Sequence, residues 1–557
     1  MKTSQLILLS AAAVALTSCS GKLGALSADY FTVTPSPLET QVGQVPATIT
    51  GTFPAKYMKK KAVVTVVPQL RFNGQSVDGP GATFQGEKVL GNDQTISYAA
   101  GGRYDMKTSF AYQPEMQQSE LFLTFDARVG NKRVNIPAVK VADGVIATSE
   151  LYKRTLTTAN PALAKDGFQR IVKEEQEANI RFLIGQAQLR KSELQNNSVQ
   201  EFVRLLQEIA ADQEGRRLDN VEVTGFASPD GGYTINDRLA SNRRAVAQKY
   251  VDEQMKKTGA GAPVDTKYTA EDWDGFQKLV SASNIQDKDV ILRVLSMYQD
   301  PEEREAQIRS ISSAFRELAD GILPQLRRSR LIANYEIIGR SDEQIIDQLK
   351  SDASKLSVEE ILYAGGVLYA DNADKAKDAY NKAAQLYPRD ARAFNNLARL
   401  AYANGDYSEA RRMAEKALGA NQSLAEANAN MGMLALLDGD LAKAEQLIAK
   451  ATDAKGLGEV MGNLHLAQGK YAQAEQDFQG VASNSAALAQ LLNKNYQQAQ
   501  NTLSRVKNAD GMTEYLMAIV AARTNNASEA QRHMQSAIAK DPSLAAYAAK
   551  DLELKGK

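Results

Sequence analysis

From Asp29 to Val145 apolar and polar residues alternate in short runs such as PATITGTF, AVVTVVPQLRF, MKTSFAYQ and ELFLTFDARV. Turn-forming stretches, GQSVDGPG and AAGGRYD among them, part these runs. A period of two predicts strands with one face toward a core, and their repetition predicts an all-β sandwich over 29–145. Residues 146–178 read as a connection running into a polar helix, with the linker proper over 146–174. The period then mixes. IRFLIGQAQLR and NVEVTGF read as strands, Val199–Ala211 as a helix between them, and LRRSRLIANYEIIG as a closing strand. After NVEVTGF comes GFASPDGGYTINDRLASNRRA, a glycine-rich turn entering a helix that continues to about Met255. In that helix Leu239, Val246 and Tyr250 share one face, and Asn236 and Arg243 lie two turns apart on a common side. Residues 175–340 are therefore expected to form an α/β sandwich with helices on one face of a mixed sheet, interrupted by a charged helical insertion at about 258–325.

The last third is helical throughout. A linker helix is expected over 341–356 and a repeat array over 357–557. Ala376, Ala410 and Ala444 stand 34 residues apart, and Ala474, Ala499 and Ala530 continue the series at irregular intervals. A turn precedes several of them: NGDYSEA, DGDLAKA, QGKYAQA, NKNYQQA. Pro388 and Pro542 each fall twelve residues after their alanine. This pattern resembles the tetratricopeptide (TPR) repeat, an all-α solenoid of paired helices, which implies a concave groove that takes a protein partner. Asn395, Asn396 and Arg399 lie on the first helix of the clearest repeat and are the residues expected to face such a partner. The sandwich at the other end is expected to be immunoglobulin-like, its two sheets held by apolar packing alone because the domain has no cysteine.

The N-terminus sets the compartment. MKTSQLILLSAAAVALTSCSGK has a basic start and an apolar run too short to span a bilayer, as in a signal peptide over 1–18. It ends in Leu16-Thr17-Ser18-Cys19, which resembles the bacterial lipoprotein cleavage box. Cys19 is the only cysteine of the 557 residues. The resemblance implies acylation there (palmitate among the chains), a short lipidated tether over 19–28, and attachment to the outer membrane. Multidomain lipoproteins of this composition resemble those of the Bacteroidota, in which an acidic run after the lipidated cysteine directs export to the cell surface. Ser20–Ala25 contain no acid, so the periplasmic face is expected. Lys+Arg and Asp+Glu both number 66. That balance argues against nucleic acid as a partner.

The central stretch resembles the peptidoglycan-associating C-terminal domain of outer membrane protein A, the OmpA-like family. The likeness rests on Val223-Thr224-Gly225-Phe226-Ala227-Ser228 followed by Asn236-Asp237-Arg238-Leu239-Ala240-Ser241-Asn242-Arg243, with IRFLIGQAQLR and LRRSRLIANYEI as flanking strands. It implies a site for the diaminopimelate of the peptidoglycan stem peptide, made of a turn acid for its ammonium and Arg243 for its carboxylate. Asn236 belongs to the same motif. The family's aspartate position holds Ser228, and the nearest acid is Asp230, after Pro229. A serine cannot replace a carboxylate, and losing one partner of a buried charge pair costs about 2–5 kcal/mol. Either Asp230 substitutes or wall binding is lost. Arg327 and Arg328 read as a solvated strand start, and Trp273 as a core anchor of the insertion.

The common nucleotide, zinc and hydrolase signatures are absent from the sequence, and its two histidines, His465 and His533, both lie in the repeats. No catalytic constellation, metal site or cofactor is expected. The sequence thus reads as a non-enzymatic outer-membrane lipoprotein that links membrane to peptidoglycan and recruits a protein partner in an envelope assembly or secretion complex. The alternative is an interaction scaffold whose OmpA-like domain no longer binds the wall.

Overall fold

A computed structural model describes residues 23–285, 287–310, 316–451 and 457–555. The signal segment, Cys19 and the start of the tether lie outside the described residues. The chain divides into two compact units. One combines residues 1–165 with 365–557, and the other is 166–364.

The first unit opens with strands β1 (Phe31–Thr34), β2 (Leu38–Glu39), β3 (Gln44–Phe53), β4 (Ala62–Phe72), β5 (Gln75–Asp78), β6 (Ala82–Gly86) and β7 (Gln94–Ile96). After them come β8 (Gly102–Ala111), β9 (Ser119–Val129), β10 (Lys132–Val134), β11 (Val139–Asp143) and β12 (Val145–Ile146). They form a three-stranded sheet, β1-β3-β8, and a seven-stranded one built on β10-β9-β4-β6-β7. The alternation expected from the sequence is seen in β3 and β4, where every second side chain is buried. Val45, Ile49, Val64, Val66, Leu70, Leu121 and Leu123 fill the space inside, and Phe53, Phe84 and Tyr104 cluster at its end.

The repeats of this unit explain their own sequence motif. In NGDYSEA and DGDLAKA the helix ends at Gly405 or Gly439 with φ of 75° or 77°, a left-handed conformation that costs residues with a Cβ about 1–2 kcal/mol. The next aspartate, Asp406 or Asp440, caps the following helix by accepting from the N–H of Glu409 or Lys443. The alanine four residues after the capping position is buried in every repeat singled out above: Ala376, Ala410, Ala444, Ala474, Ala499 and Ala530. Lys494 occupies the left-handed position in NKNYQQA with φ of 67°. Lys494→Gly is therefore expected to raise the stability of this unit by about 0.5–1 kcal/mol, read as a higher denaturation midpoint.

The second unit holds a four-stranded sheet in the order β13-β16-β14-β15: β13 (Ile171–Arg181), β14 (Arg216–Phe226), β15 (Val264–Thr269) and β16 (Arg328–Ile338). Only β14–β15 is parallel. Two expectations need correction. The polar helix read before residue 178 is the edge strand β13. Its IVKEEQEANIR pairs residue for residue with β16, although only Ala178 and Ile180 face the core. Cross-strand pairing overrides local helix preference there, and charged side chains suit an exposed edge. The insertion is also shorter than read, because Val264–Thr269 belongs to the sheet. The helices Asn197–Ala211 and Tyr233–Thr258 cover one face of the sheet. The second buries a stripe of Asn236, Ala240, Arg243, Ala247 and Val251, with Leu239, Val246 and Tyr250 flanking it half-buried. Small residues take the stripe because the helix lies close to the sheet. A Cβ on Gly225 would sit 2.3 Å from the Ala240 carbonyl oxygen.

Candidate functional site

The first helix of each repeat faces a groove, and the chain itself fills it. Residues 147–165 run along the groove in the direction opposite to the order of the repeats. Ala164 lies on the helix Ala391–Ala403. Asn396 accepts from its N–H at 3.0 Å and donates to its carbonyl at 2.9 Å. Two residues back, Ala162 makes the same double contact with Asn430 of the helix Ala425–Leu437, at 2.6 and 2.9 Å. Asn395 donates to the Ala162 carbonyl at 3.1 Å, and Arg399 to the Pro161 carbonyl at 3.2 Å. Successive residues of an extended chain point opposite ways, so 162 and 164 offer one backbone edge, and each asparagine amide pairs with it as a neighbouring strand would. The amides also bond one another, Asn430 to Asn395 and Asn395 to Asn396. Asn395 is 0 % exposed and Asn396 1 %.

Farther along, Asn160 donates to Glu459, Asn484 to Thr158, Ser485 to Thr155, and Tyr402 to the Leu156 carbonyl at 2.7 Å. Leu151 and Leu156 are buried. Tyr547 donates to the Ala147 carbonyl, and Thr148 bonds Glu553, which is also held by Arg523. Asn395, Asn396 and Arg399, singled out in the sequence for a partner, hold this chain's own backbone. The connection read over 146–174 is, through residue 165, the occupant of that groove. Asn430 was not singled out in the sequence; its place 34 residues after Asn396, one repeat on, was the signal that would have found it.

Burial raises two carboxyls along the groove. Glu459 is pushed up, and Asp551, which accepts from Tyr515 at 2.7 Å, is pushed up to about 6. The folded state thus holds a proton on Asp551 that the unfolded chain, titrating near 3.8, has released. The contribution of Asp551 to stability is full below about pH 4 and is lost as pH rises to about 6. Asp551→Asn is expected to flatten this dependence, making the denaturation midpoint of the first unit nearly equal at pH 5 and pH 7.5. Both histidines meet carboxylates on repeat helices: His465 with Asp477 at 2.5 Å and His533 with Glu514 at 2.7 Å.

The residues assigned to diaminopimelate lie together in the second unit, but their charges face inward. Arg243 is 1 % exposed. It donates to the carbonyls of Gln186 at 3.0 Å, Phe226 at 2.9 Å and Leu183 at 3.4 Å, and its guanidinium lies over Phe182. Burial and the charge of Arg327 push it down to about 10, with Asp230 opposing, so it stays cationic at neutral pH. Asp230 accepts from Arg327 at 2.9 Å and from Ser228, whose hydroxyl oxygen accepts from Arg327 in turn at 3.2 Å. Asn236 is buried and braces the turn by donating to the Gly231 carbonyl at 2.7 Å. The expectation that Arg327 and Arg328 start the strand in solvent is overturned. Arg327 is buried against Asp230, and Arg328 pairs with Asp272 at 3.0 Å, because β16 is an inner strand whose start lies beneath the turn and the insertion.

An array of paired helices gripping an extended peptide by its backbone defines a helical-repeat protein. Residues 391–428 match the family model described as tetratricopeptide repeat. The C-terminal part of the chain is helical and TPR-like, and it contains a tetratricopeptide repeat. Among solved structures the chain is similar to a tetratricopeptide repeat protein from Parabacteroides merdae ATCC 43184, with 16% identity and a TM-score of 0.27, over 38% of this chain and 89% of that one. It is also similar to Pseudomonas aeruginosa pilF, with 20% identity and a TM-score of 0.26, over 38% of this chain and 96% of that one. A third likeness is to the APC/C hetero-tetramer Cut9–Hcn1, with 14% identity and a TM-score of 0.31, over 50% of this chain and 57% of that one. No curated protein matches the chain.

Proposed function

We propose that this protein is a non-enzymatic interaction scaffold of the bacterial envelope, held at the periplasmic face of the outer membrane through Cys19. Its α/β unit, OmpA-like in motif, does not grip the cell wall, and its immunoglobulin-like sandwich serves as a spacer joined to the repeats. TPR arrays imply a protein-interaction role. While residues 147–165 occupy the groove, a partner meets the outer faces of the repeats. The observation that favours the scaffold over a wall tether is the internal engagement of Asp230 and Arg243. A diaminopimelate needs a free carboxylate for its ammonium and a free guanidinium for its carboxylate, and these two are bonded to Arg327 and to three backbone carbonyls. The test is sedimentation with insoluble peptidoglycan. The scaffold reading expects the wild-type chain to stay in the supernatant. Pelleting that free meso-diaminopimelate reverses would restore the tether.

A further inference from the structure

The face of the second unit's sheet that the helices Asn197–Ala211 and Tyr233–Thr258 leave open carries three arginines close together, Arg181, Arg328 and Arg330. In the β13–β16 register Arg181 stands directly opposite Arg328, and Arg330 follows two residues along the same face. Like charges directly opposite one another on a sheet are destabilising. Arg328 is neutralised by Asp272 and lies over the ring of Phe226, 4.7 Å from its centre. Among the described residues no carboxylate pairs with the guanidinium of Arg181 or Arg330; Glu193 accepts only from the backbone N–H of Arg181, at 3.2 Å. Arg330 has only the Phe226 ring, at 5.7 Å, and its buried Nε has no acceptor. Four carboxylates share the lining: Asp272 is taken by Arg328, and Asp274 lies in the first turn of the helix Trp273–Ala282, where Lys278 adds a cation. Glu177 accepts from Asn179, and Glu271 accepts from the Trp273 indole and is pushed up by burial.

These arginines line a groove of about 610 Å³, whose opposite wall is the first helix of the insertion, Trp273–Ala282. We propose that this groove binds an oxyanion, the phosphate or carboxylate of a ligand whose apolar part lies against Trp273. Arg181 and Arg330 take the oxygens, since a guanidinium presents paired donors matched to such a group. The insertion then has a role as the wall that turns an open sheet face into a site. The proposal is independent of the Asp230–Arg243 network, which lies on the helix-covered side.

The experiment uses the full chain and follows the unfolding midpoint of the α/β unit at fixed ionic strength in chloride, in inorganic phosphate and in glycerol 1-phosphate, a lipid-headgroup fragment. Stabilisation by both anions alike supports a soluble phosphate-bearing ligand. Stabilisation at about tenfold lower concentrations of glycerol phosphate supports a headgroup. In either case Arg181→Gln with Arg330→Gln should raise the concentration needed by about tenfold or more, while Lys256→Gln, on the helix across the sheet, leaves it unchanged. In chloride the double variant should be at least as stable as wild type, because like charges have been removed. If it does not fold, Arg181→Gln alone, on the exposed edge strand, carries the test with a loss of about fivefold. The absence of any phosphate effect in wild type, or an effect that survives these substitutions, overturns the proposal.

Discussion

Replacing Asn396 and Asn430 together by alanine is expected to free residues 157–165 from the repeat groove and to lower the stability of the first unit by about 3–5 kcal/mol. The two amides are the side-chain partners of both N–H groups and of the Ala164 carbonyl in a buried site, while the Ala162 carbonyl would keep Asn395. Each buried backbone group left without a partner costs about 1–3 kcal/mol. The loss stops short of the sum because the segment leaves and hydrates once holding it costs more than releasing it. The exposed Lys165 then becomes a tryptic site. In denaturant the transition of the first unit should shift while that of residues 166–364 does not, since the two are separate compact units. Asn396→Asp is a sharper probe. It keeps the acceptor for Ala164 N–H but sets a carboxylate against the Ala164 carbonyl, and it should destabilise as much as alanine.

The second large effect belongs to Arg243. Arg243→Ala should destabilise the α/β unit by about 3–5 kcal/mol, measured as a shift in that unit's transition alone. Three carbonyls, those of Leu183, Gln186 and Phe226, lose their donor, and a cavity opens where the side chain crossed Phe182. Arg243→Met separates the two causes. It fills most of the volume and supplies no donor, so a loss nearly as large as with alanine assigns the effect to the hydrogen bonds. A family ligand residue exposed for binding would instead tolerate both changes with little loss of stability.

Patterns with a strong local cause were legible in the sequence. The repeat turns show this best: a left-handed glycine, a capping aspartate and a buried alanine are each fixed by neighbours a few residues away, so the motif announces the structure. Alternation in β3 and β4 did the same for the N-terminal strands. What stayed hidden depends on partners distant in the chain. β13 is acidic and nearly without core residues, and only pairing with β16 makes it a strand. Asn395, Asn396 and Arg399 were identified as groove residues from their place on a helix, yet nothing near them says that Pro161, Ala162 and Ala164, more than 200 residues earlier, fill the groove. Arg243 was legible by motif, but its hydrogen-bond partners were not. Its helix position was right, while the carbonyls that bind it come from a loop and a strand end that periodicity cannot orient.

Amide hydrogen exchange at Ala162 and Ala164 in the intact chain tests most directly whether the groove is filled by its own connection. Held by Asn430 and Asn396, both N–H groups should exchange at least about a hundredfold more slowly than in an unstructured peptide of the same sequence. Exchange at the free-peptide rate would mean that the segment is not bound and that the groove is open to a partner.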